Sequence, residues 1–283
     1  MATPLRRRRL AAILKKHREQ AHMTTEQVEA ACGVGKSTVS RIETASIRIK
    51  PLYVKALCDA YGIDGEDRAA FMQLSRDAER TGWWSPYAGT LSGQYLEYIS
   101  FEASAKALRT YEPLVVPGLL QTAEYARAVI AGMVRPTLRD SELEERVKVR
   151  IERQGRLDGV DALSLWAIVD ESALRRPTGG PDVMRAQLQH LYEVSRLPNV
   201  TLQVVGNELG AHPGMTGSFF ILSFPSKREE DVIYLDTPIG DLYAEAEQDI
   251  ESCTMLFEHL RAAALNEDQS RQRIRDAERE LRQ

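Results

Sequence analysis

The sequence predicts a multidomain protein: a small all-α unit at the N-terminus, followed by a larger α+β domain. Three observations carry that expectation. The chain has 283 residues, more than one ordinary domain holds. Its first eighty or so residues repeat apolar side chains at helical spacing, in short blocks broken by glycine and proline. From Tyr95 onward, β-branched and aromatic runs alternate with helical blocks. With 43% hydrophobic residues the chain can bury a core, which excludes wholesale disorder.

Leu5 to Gln20 reads as a helix with Leu10, Ile13, Leu14 and His17 on one stripe. Thr24 or Thr25 can cap a second helix, which carries Val28 and Cys32 and ends at Gly33. After a tight turn, Lys36 to Thr44 points Val39 and Ile42 inward. Pro51, favoured in a first helical turn, opens a fourth helix with Leu52, Val54, Ala56, Leu57 and Tyr61, and Gly65 to Arg80 makes a fifth. Residues 1–80 are therefore expected to form the all-α domain. Residues 81–94, rich in glycine, proline and small polar residues, read as a linker. Trp83 and Trp84 in that tract are expected to dock on one domain or the other, because large aromatic faces are costly to leave wet.

Residues 95–283 make the α+β domain. Strands are expected at "LSLWAIVD", "VTLQVVG", "SFFILSF" and "VIYLDT", the last three forming an antiparallel meander. Helices are expected at Ala123 to Ala131, Ser141 to Leu157, Pro181 to Arg196 and Ala246 to Leu265. The tail "EDQSRQRIRDAERELRQ" sets Ile274, Ala277 and Leu281 on a narrow stripe. Such a stripe suits packing against a helix of a partner or a second subunit; its plain alternative is a frayed surface helix.

Charge divides the chain as sharply as periodicity does. Through residue 62 there are twelve Lys/Arg against five Asp/Glu, a balance of +7, which leaves 25 against 36, or −11, for the rest. A basic front end suits a polyanion, either nucleic acid or an acidic membrane surface. No run of about 18 apolar residues would span a bilayer, and "MATPLRRRRLAAILKKHREQ" lacks the apolar core of a secretory signal. Cys32, Cys58 and Cys253 are widely spaced, with no CxxC and no neighbouring His pair. The expectation is a cytoplasmic protein without metal or cofactor.

In "TTEQVEAACGVGKSTVSRIE" two short helices meet at a tight turn, the second polar on its outer face. That is a helix-turn-helix pattern, in which one helix braces another whose first residues enter the DNA major groove. With "IKPLYVKALCDAYGI" after it, the stretch resembles the Xre or lambda-repressor-like class over about sixty residues. The resemblance implies that Lys36, Ser37, Thr38 and Arg41 face bases, with Ser40 at the border. It also implies that Arg48, Lys50 and Thr25 meet phosphate, and that Arg18 pairs with Glu43 to tie the first helix to the end of the third. Three positions depart from the class: Glu29 stands where Ala is usual, Gly35 replaces a Ser or Thr cap, and Ala45 replaces a terminal Gly. Arg6 to Arg9 has two readings, a solvated helix face and an arm lying on phosphate.

"FEASAKALRTYEPLVVPGLLQTAEYARAVI", "ERVKVRIERQGRL", "DESALRRPTGG" and "GAHPGMTGSFFILSF" are similar to the uncharacterised domain that follows an Xre-type reader in many actinobacterial regulators. Those regulators are described as antitoxin-like, often with a small partner protein encoded alongside. The resemblance implies a transcription regulator controlled through its second domain, by that partner or by a small-molecule effector; a homodimer on double-stranded DNA is expected because one recognition helix reads too few bases. The rival reading is an enzyme tethered to DNA. Its candidate residues are His212, Asp170 with Glu171, Arg153 with Gln154, and Tyr234 with Asp236, while Arg109, Tyr111 and Glu112 either line a pocket or form a structural network. No spacing among them demands a nucleophile with its base or a split carboxylate pair. No catalytic residue is therefore expected.

Overall fold

The computed structural model of the chain describes residues 5–79, 82–133, 139–225, 229–237 and 239–281. Two compact units divide at Ser85 and Pro86. The first is all-α and the second is α+β, with a six-stranded sheet. The tract read as a linker carries a short 3-10 turn, Ser85–Gly89, and the start of the next helix. Within it, Trp83 and Trp84 meet edge to face with ring centroids 5.9 Å apart.

The first unit consists of α1 (Leu5–Gln20), α2 (Thr25–Cys32), α3 (Lys36–Glu43), α4 (Pro51–Tyr61) and α5 (Gly65–Glu79). Leu10, Leu14, Val28, Val39, Ile42, Val54 and Leu57 are wholly buried in one core. His17 of α1 packs on Phe71 of α5, 5.3 Å between centroids. Leu52 departs from the expected stripe and is 72% exposed. Val54, Leu57, Cys58 and Tyr61 occupy the i, i+3, i+4 and i+7 positions that face the core, and Leu52 stands outside that arc. Burial pushes the Cys58 thiol up to about 11, so it stays protonated and packs as a small apolar group.

The second unit contains α6 (Gly93–Ser104), β1 (Ala107–Glu112), α7 (Ala123–Met133), α8 (Asp140–Arg153), β2 (Ser164–Asp170), α9 (Glu171–Arg175), α10 (Pro181–Val194) and β3 (Val200–Val205). It continues through β4 (Phe219–Ser223), β5 (Val232–Leu235), β6 (Leu242–Ala244), α11 (Glu247–Ala263) and α12 (Glu267–Glu280). The strand order is β3-β2-β1-β4-β5-β6. β1, β2 and β3 run parallel, and β4 to β6 follow antiparallel from β1. The meander is thus β4-β5-β6, and "VTLQVVG" does not belong to it. α9 and α10 stand between β2 and β3, and such a crossover returns the chain to the end where β2 began, so β3 runs parallel to β2 at the sheet's edge.

On one face of the sheet, α11 sets Phe257 and Leu260 against Tyr111, Phe219, Ile221 and Ile233. On the other, Tyr98 and Phe101 of α6 meet Phe220, Tyr234, Tyr243 and Phe224. The C-terminal stripe finds its partner within the same chain. Ile274 and Ala277 are buried, and the Arg275 guanidinium lies 4.0 Å from the ring centroid of Tyr192 on α10. The fully buried Ser270 hydroxyl accepts from the Val204 N–H at 3.0 Å, while the Leu265 N–H donates to the Val204 carbonyl at 2.9 Å. Part of the outer edge of β3 is sealed in this way.

Arg153 of α8 grips Glu102 of α6 through two bonds of 2.8 and 2.6 Å, and donates to the Tyr95 hydroxyl at 2.6 Å. The two side chains are 5% and 1% exposed, so each charge depends on the other. Arg153→Met is expected to destabilise this unit by about 3 to 5 kcal/mol in urea titrations, and Arg153→Met with Glu102→Leu to recover most of that loss. Equal losses in the single and double variants would show that the two charges are not coupled.

Candidate nucleic-acid interface

α2 and α3 have eight residues each, too few to persist as isolated helices. Their relative placement therefore depends on what grips their ends. Thr24 caps α2 in a reciprocal box: the Gln27 N–H donates to its hydroxyl at 3.3 Å, and its own N–H donates to Gln27 Oε1 at 2.8 Å. Gly33 closes α2 at φ 73°, a conformation glycine adopts at little cost. At the far end of α3, Arg18 of α1 holds Glu43 in a fork, Nε to Oε1 at 2.7 Å and Nη2 to Oε2 at 2.9 Å. Its Nη1 donates to the Met23 carbonyl at 2.8 Å. The hydrogen bonds to Glu43 hold the Arg18 guanidinium above its ordinary range.

The departures from the class have physical explanations. Gly35 precedes α3 and provides no side-chain cap, but Glu29 Oε2 accepts the Lys36 N–H at 3.1 Å. Glu29 is exposed, so no unpaired carboxylate is buried, and its charge lies at the helix end that favours an anion. The two substitutions compensate one another. Ala45 adopts φ 51° where a glycine is usual, its methyl lies in the core, and the Ser46 N–H donates to the Arg41 carbonyl at 2.9 Å to close α3.

This frame leaves Lys36, Ser37, Ser40 and Arg41 exposed on α3, with Thr38 half-buried beside them. Lys36 Nζ lies 3.6 Å from Glu26 Oε1, both side chains 62% exposed, a pairing weak enough for a phosphate or base edge to displace. Arg48 and Lys50 are exposed on either side of the buried Ile49. The Ile49 carbonyl accepts the Ser75 hydroxyl at 2.8 Å, which anchors their loop to α5. Thr25 donates its hydroxyl to Glu26 Oε2 at 3.2 Å, so a phosphate at this helix start competes with that carboxylate. In the arginine run, Arg8 is exposed and Arg9 is buried; the side chain of Arg6 lies outside the described residues. Sequence reading missed the Glu29 cap, which reaches across the turn between α2 and α3 to a residue seven positions on.

Residues 9–71 match a helix-turn-helix domain, and residues 95–276 match a domain of unknown function (DUF5753). The second match covers more than half of the chain. The chain belongs to the DUF5753 family. No curated protein and no solved structure matches it. Among the described residues no helix is long and apolar enough to cross a membrane, and no group of three or more His, Cys, Asp or Glu side chains is placed to hold a metal ion.

Within the DUF5753 domain the candidate polar residues fall into separate centres. Asp170 caps α9 through the Ser172 N–H at 2.9 Å, and its other oxygen meets the Tyr111 hydroxyl at 3.4 Å and His212 Nε2 at 3.5 Å. Glu171 bonds the Asn207 N–H at 3.0 Å and pairs with Arg175 and Arg273. Gln154 donates to the Gln121 carbonyl, and Tyr234 to Asp241. Arg109 pairs with Asp231 and lies over Phe257. Arg109 and Tyr111 share the α11 face while Glu112 points to the opposite one, because strand side chains alternate, so these three do not line one pocket.

Glu112 is 7% exposed. Burial pushes its carboxyl up to about 8, against the pull of Arg150 and with a further push from Asp236. A folded pKa above that of the unfolded chain gives stability that is full in acid and lost as pH rises through about 8. Glu112→Gln is expected to flatten the stability profile between about pH 5 and 9, measured by urea titration; an unchanged slope would contradict the assignment. At the interface, Glu29→Ala is expected to cost about 0.5 to 2 kcal/mol, and Gly35→Ser in that background to restore most of it.

Proposed function

We propose that the chain is a sequence-specific, Xre-type transcription regulator acting in the cytoplasm as a homodimer, with the DUF5753 domain as its regulatory half and no enzymatic activity of its own. One observation carries the reading: exposed Lys36, Ser37, Ser40 and Arg41, with half-buried Thr38 beside them, are presented on a helix clamped at both ends. A side chain reads a base edge only if its backbone is held in register with the groove. The basic first unit supports the same conclusion, since its charge suits a polyanion. Antitoxin-like control through the second domain, by a small protein partner or a ligand, accounts for a reader joined to a larger acidic unit.

In this scheme Arg41 and Lys36 address guanine, Thr38 a thymine methyl, and Arg48, Lys50 and Thr25 the backbone. Arg41→Ala is expected to cost about 1 to 3 kcal/mol at the cognate site and relax base preference there, whereas Lys50→Ala weakens all sequences alike and lowers the salt slope by about one. Quantitative binding to selected and random duplexes at several salt concentrations measures both, and identical profiles for the two variants would refute the roles. Light scattering is expected to show two copies on a palindromic site whose half-sites lie about 34 to 36 Å apart.

A further inference from the structure

α12 is joined to α11 by three residues, Ala264, Leu265 and Asn266. From Glu247 to Glu280 the chain contains no glycine and no proline, the residues that ordinarily stop a helix. Ala262, Ala263, Ala264 and Leu265 are instead among the strongest helix formers. The break is small in conformation as well. Ala264 has φ −68° and ψ 154°, and Asn266 has φ −66° and ψ 170°. Both φ values already suit an α-helix, so at these two residues straightening needs only a swing of ψ to about −42°.

Contacts from outside the hinge impose the break. The Leu265 N–H donates to the Val204 carbonyl at 2.9 Å. The Leu265 carbonyl accepts from the Gln203 side chain at 3.0 Å and from the Ser270 hydroxyl at 3.2 Å. Asn266 then caps α12, its Oδ1 accepting the Gln269 N–H at 2.9 Å. Beyond the cap, α12 lies on α9, α10 and β3 and buries Ser270, Ile274 and Ala277. Arg273 pairs with Glu171 and Glu208, Glu280 pairs with Arg175, and Gln189 donates to Glu278 at 3.0 Å. Each of these partners precedes α11 in the chain. A second copy displays the same seat, and α12 fits it whichever chain supplies the helix.

We propose that two copies of the chain pair by exchanging α12: α11 and α12 straighten into one helix through Ala264 to Asn266, and each α12 occupies the seat on α9, α10 and β3 of the other copy. This deepens the homodimer reading and rests on it. The exchange is nearly balanced, because the contacts between α12 and its seat are remade between chains. Only the hinge changes. It gives up the bonds to Val204 and Gln203 and the Asn266 cap, and gains intrahelical bonds through an alanine-rich segment, against the entropy lost on association. The hinge therefore sets how much dimer forms.

Glu267→Pro separates the two arrangements. Glu267 is the first residue of α12, where proline is favoured, and Asn266 before it is already extended, as a residue preceding proline must be. In the straightened helix the same proline stands in the interior, where it removes a hydrogen bond and clashes with the preceding turn. Light scattering on the full chain over a dilution series, free and on duplex DNA, is expected to show a wild-type dimer. Glu267→Pro is expected to weaken that dimer by about a hundredfold or more, with the melting temperature of the monomer unchanged. Asn266→Ala removes a cap that only the bent arrangement uses, so it is expected to tighten the dimer about tenfold. A dimer as tight in Glu267→Pro as in the wild type, or one that Asn266→Ala fails to tighten, overturns the exchange and leaves the homodimer reading standing. A wild type that stays monomeric both free and on DNA overturns the two together.

Discussion

Two carboxylates, one at each end, hold α3 in place. The helix is only eight residues long, so its own hydrogen bonds do not offset the entropy of forming it. Glu29 accepts the Lys36 N–H at the positive end of the helix dipole. Glu43 sits at the negative end, where an unpaired acid would be unfavourable, and the Arg18 fork converts it into a tether to α1. Each grip links α3 to a different helix, so position and rotation are both set. The inward Val39 and Ile42 lock the same rotation from beneath. Without these restraints the outward side chains would sample many orientations.

The sequence displayed this half of the fold through spacing. Leu10 and Leu14, Val39 and Ile42, and Val54 and Leu57 fall at intervals that fit only a helix, and Gly33 and Pro51 mark where helices stop and start. It could not display Glu29 as a cap, because that role exists only once α2 and α3 have turned back on each other. In the second unit β1 was hidden: Ala107 to Glu112 mixes Arg109, Thr110 and Glu112 with apolar residues, and its strand character comes from pairing with β2 and β4 on either side. The placement of β3 was hidden for a related reason. Periodicity identifies a strand but is silent on its neighbours, which here were decided by the crossover through α10.

The DUF5753 domain uses most of its charge internally. Arg153 with Glu102, Arg273 with Glu171 and Glu208, and Arg109 with Asp231 each join elements distant in sequence. Such pairs add little net stability when exposed but strongly penalise misassembly once one partner is buried. Three of the polar residues singled out in the sequence have structural partners: Asp170 caps α9, Glu171 is a junction of ion pairs, and Arg153 is the counter-charge of a buried acid. Glu112 differs from these in making no ion pair among the described residues, and burial holds its carboxyl up against the pull of Arg150.

The size of α3 bears on the copy number proposed above. Eight residues extend about 12 Å, comparable with the width of the major groove and enough to bring two or three side chains to base edges. If Lys36 and Arg41 each supply about 1 to 3 kcal/mol of discrimination, one copy supplies about 2 to 6 kcal/mol, which reaches only the lower part of the roughly 4 to 10 kcal/mol that separates specific from random DNA binding. Phosphate contacts from Arg48 and Lys50 raise affinity on every sequence and leave that difference unchanged. In the proposed dimer, two copies on symmetric half-sites would add their discrimination while sharing one association event. On that proposal specificity would grow with pairing, and any influence of the second domain on pairing would alter DNA occupancy without touching α3.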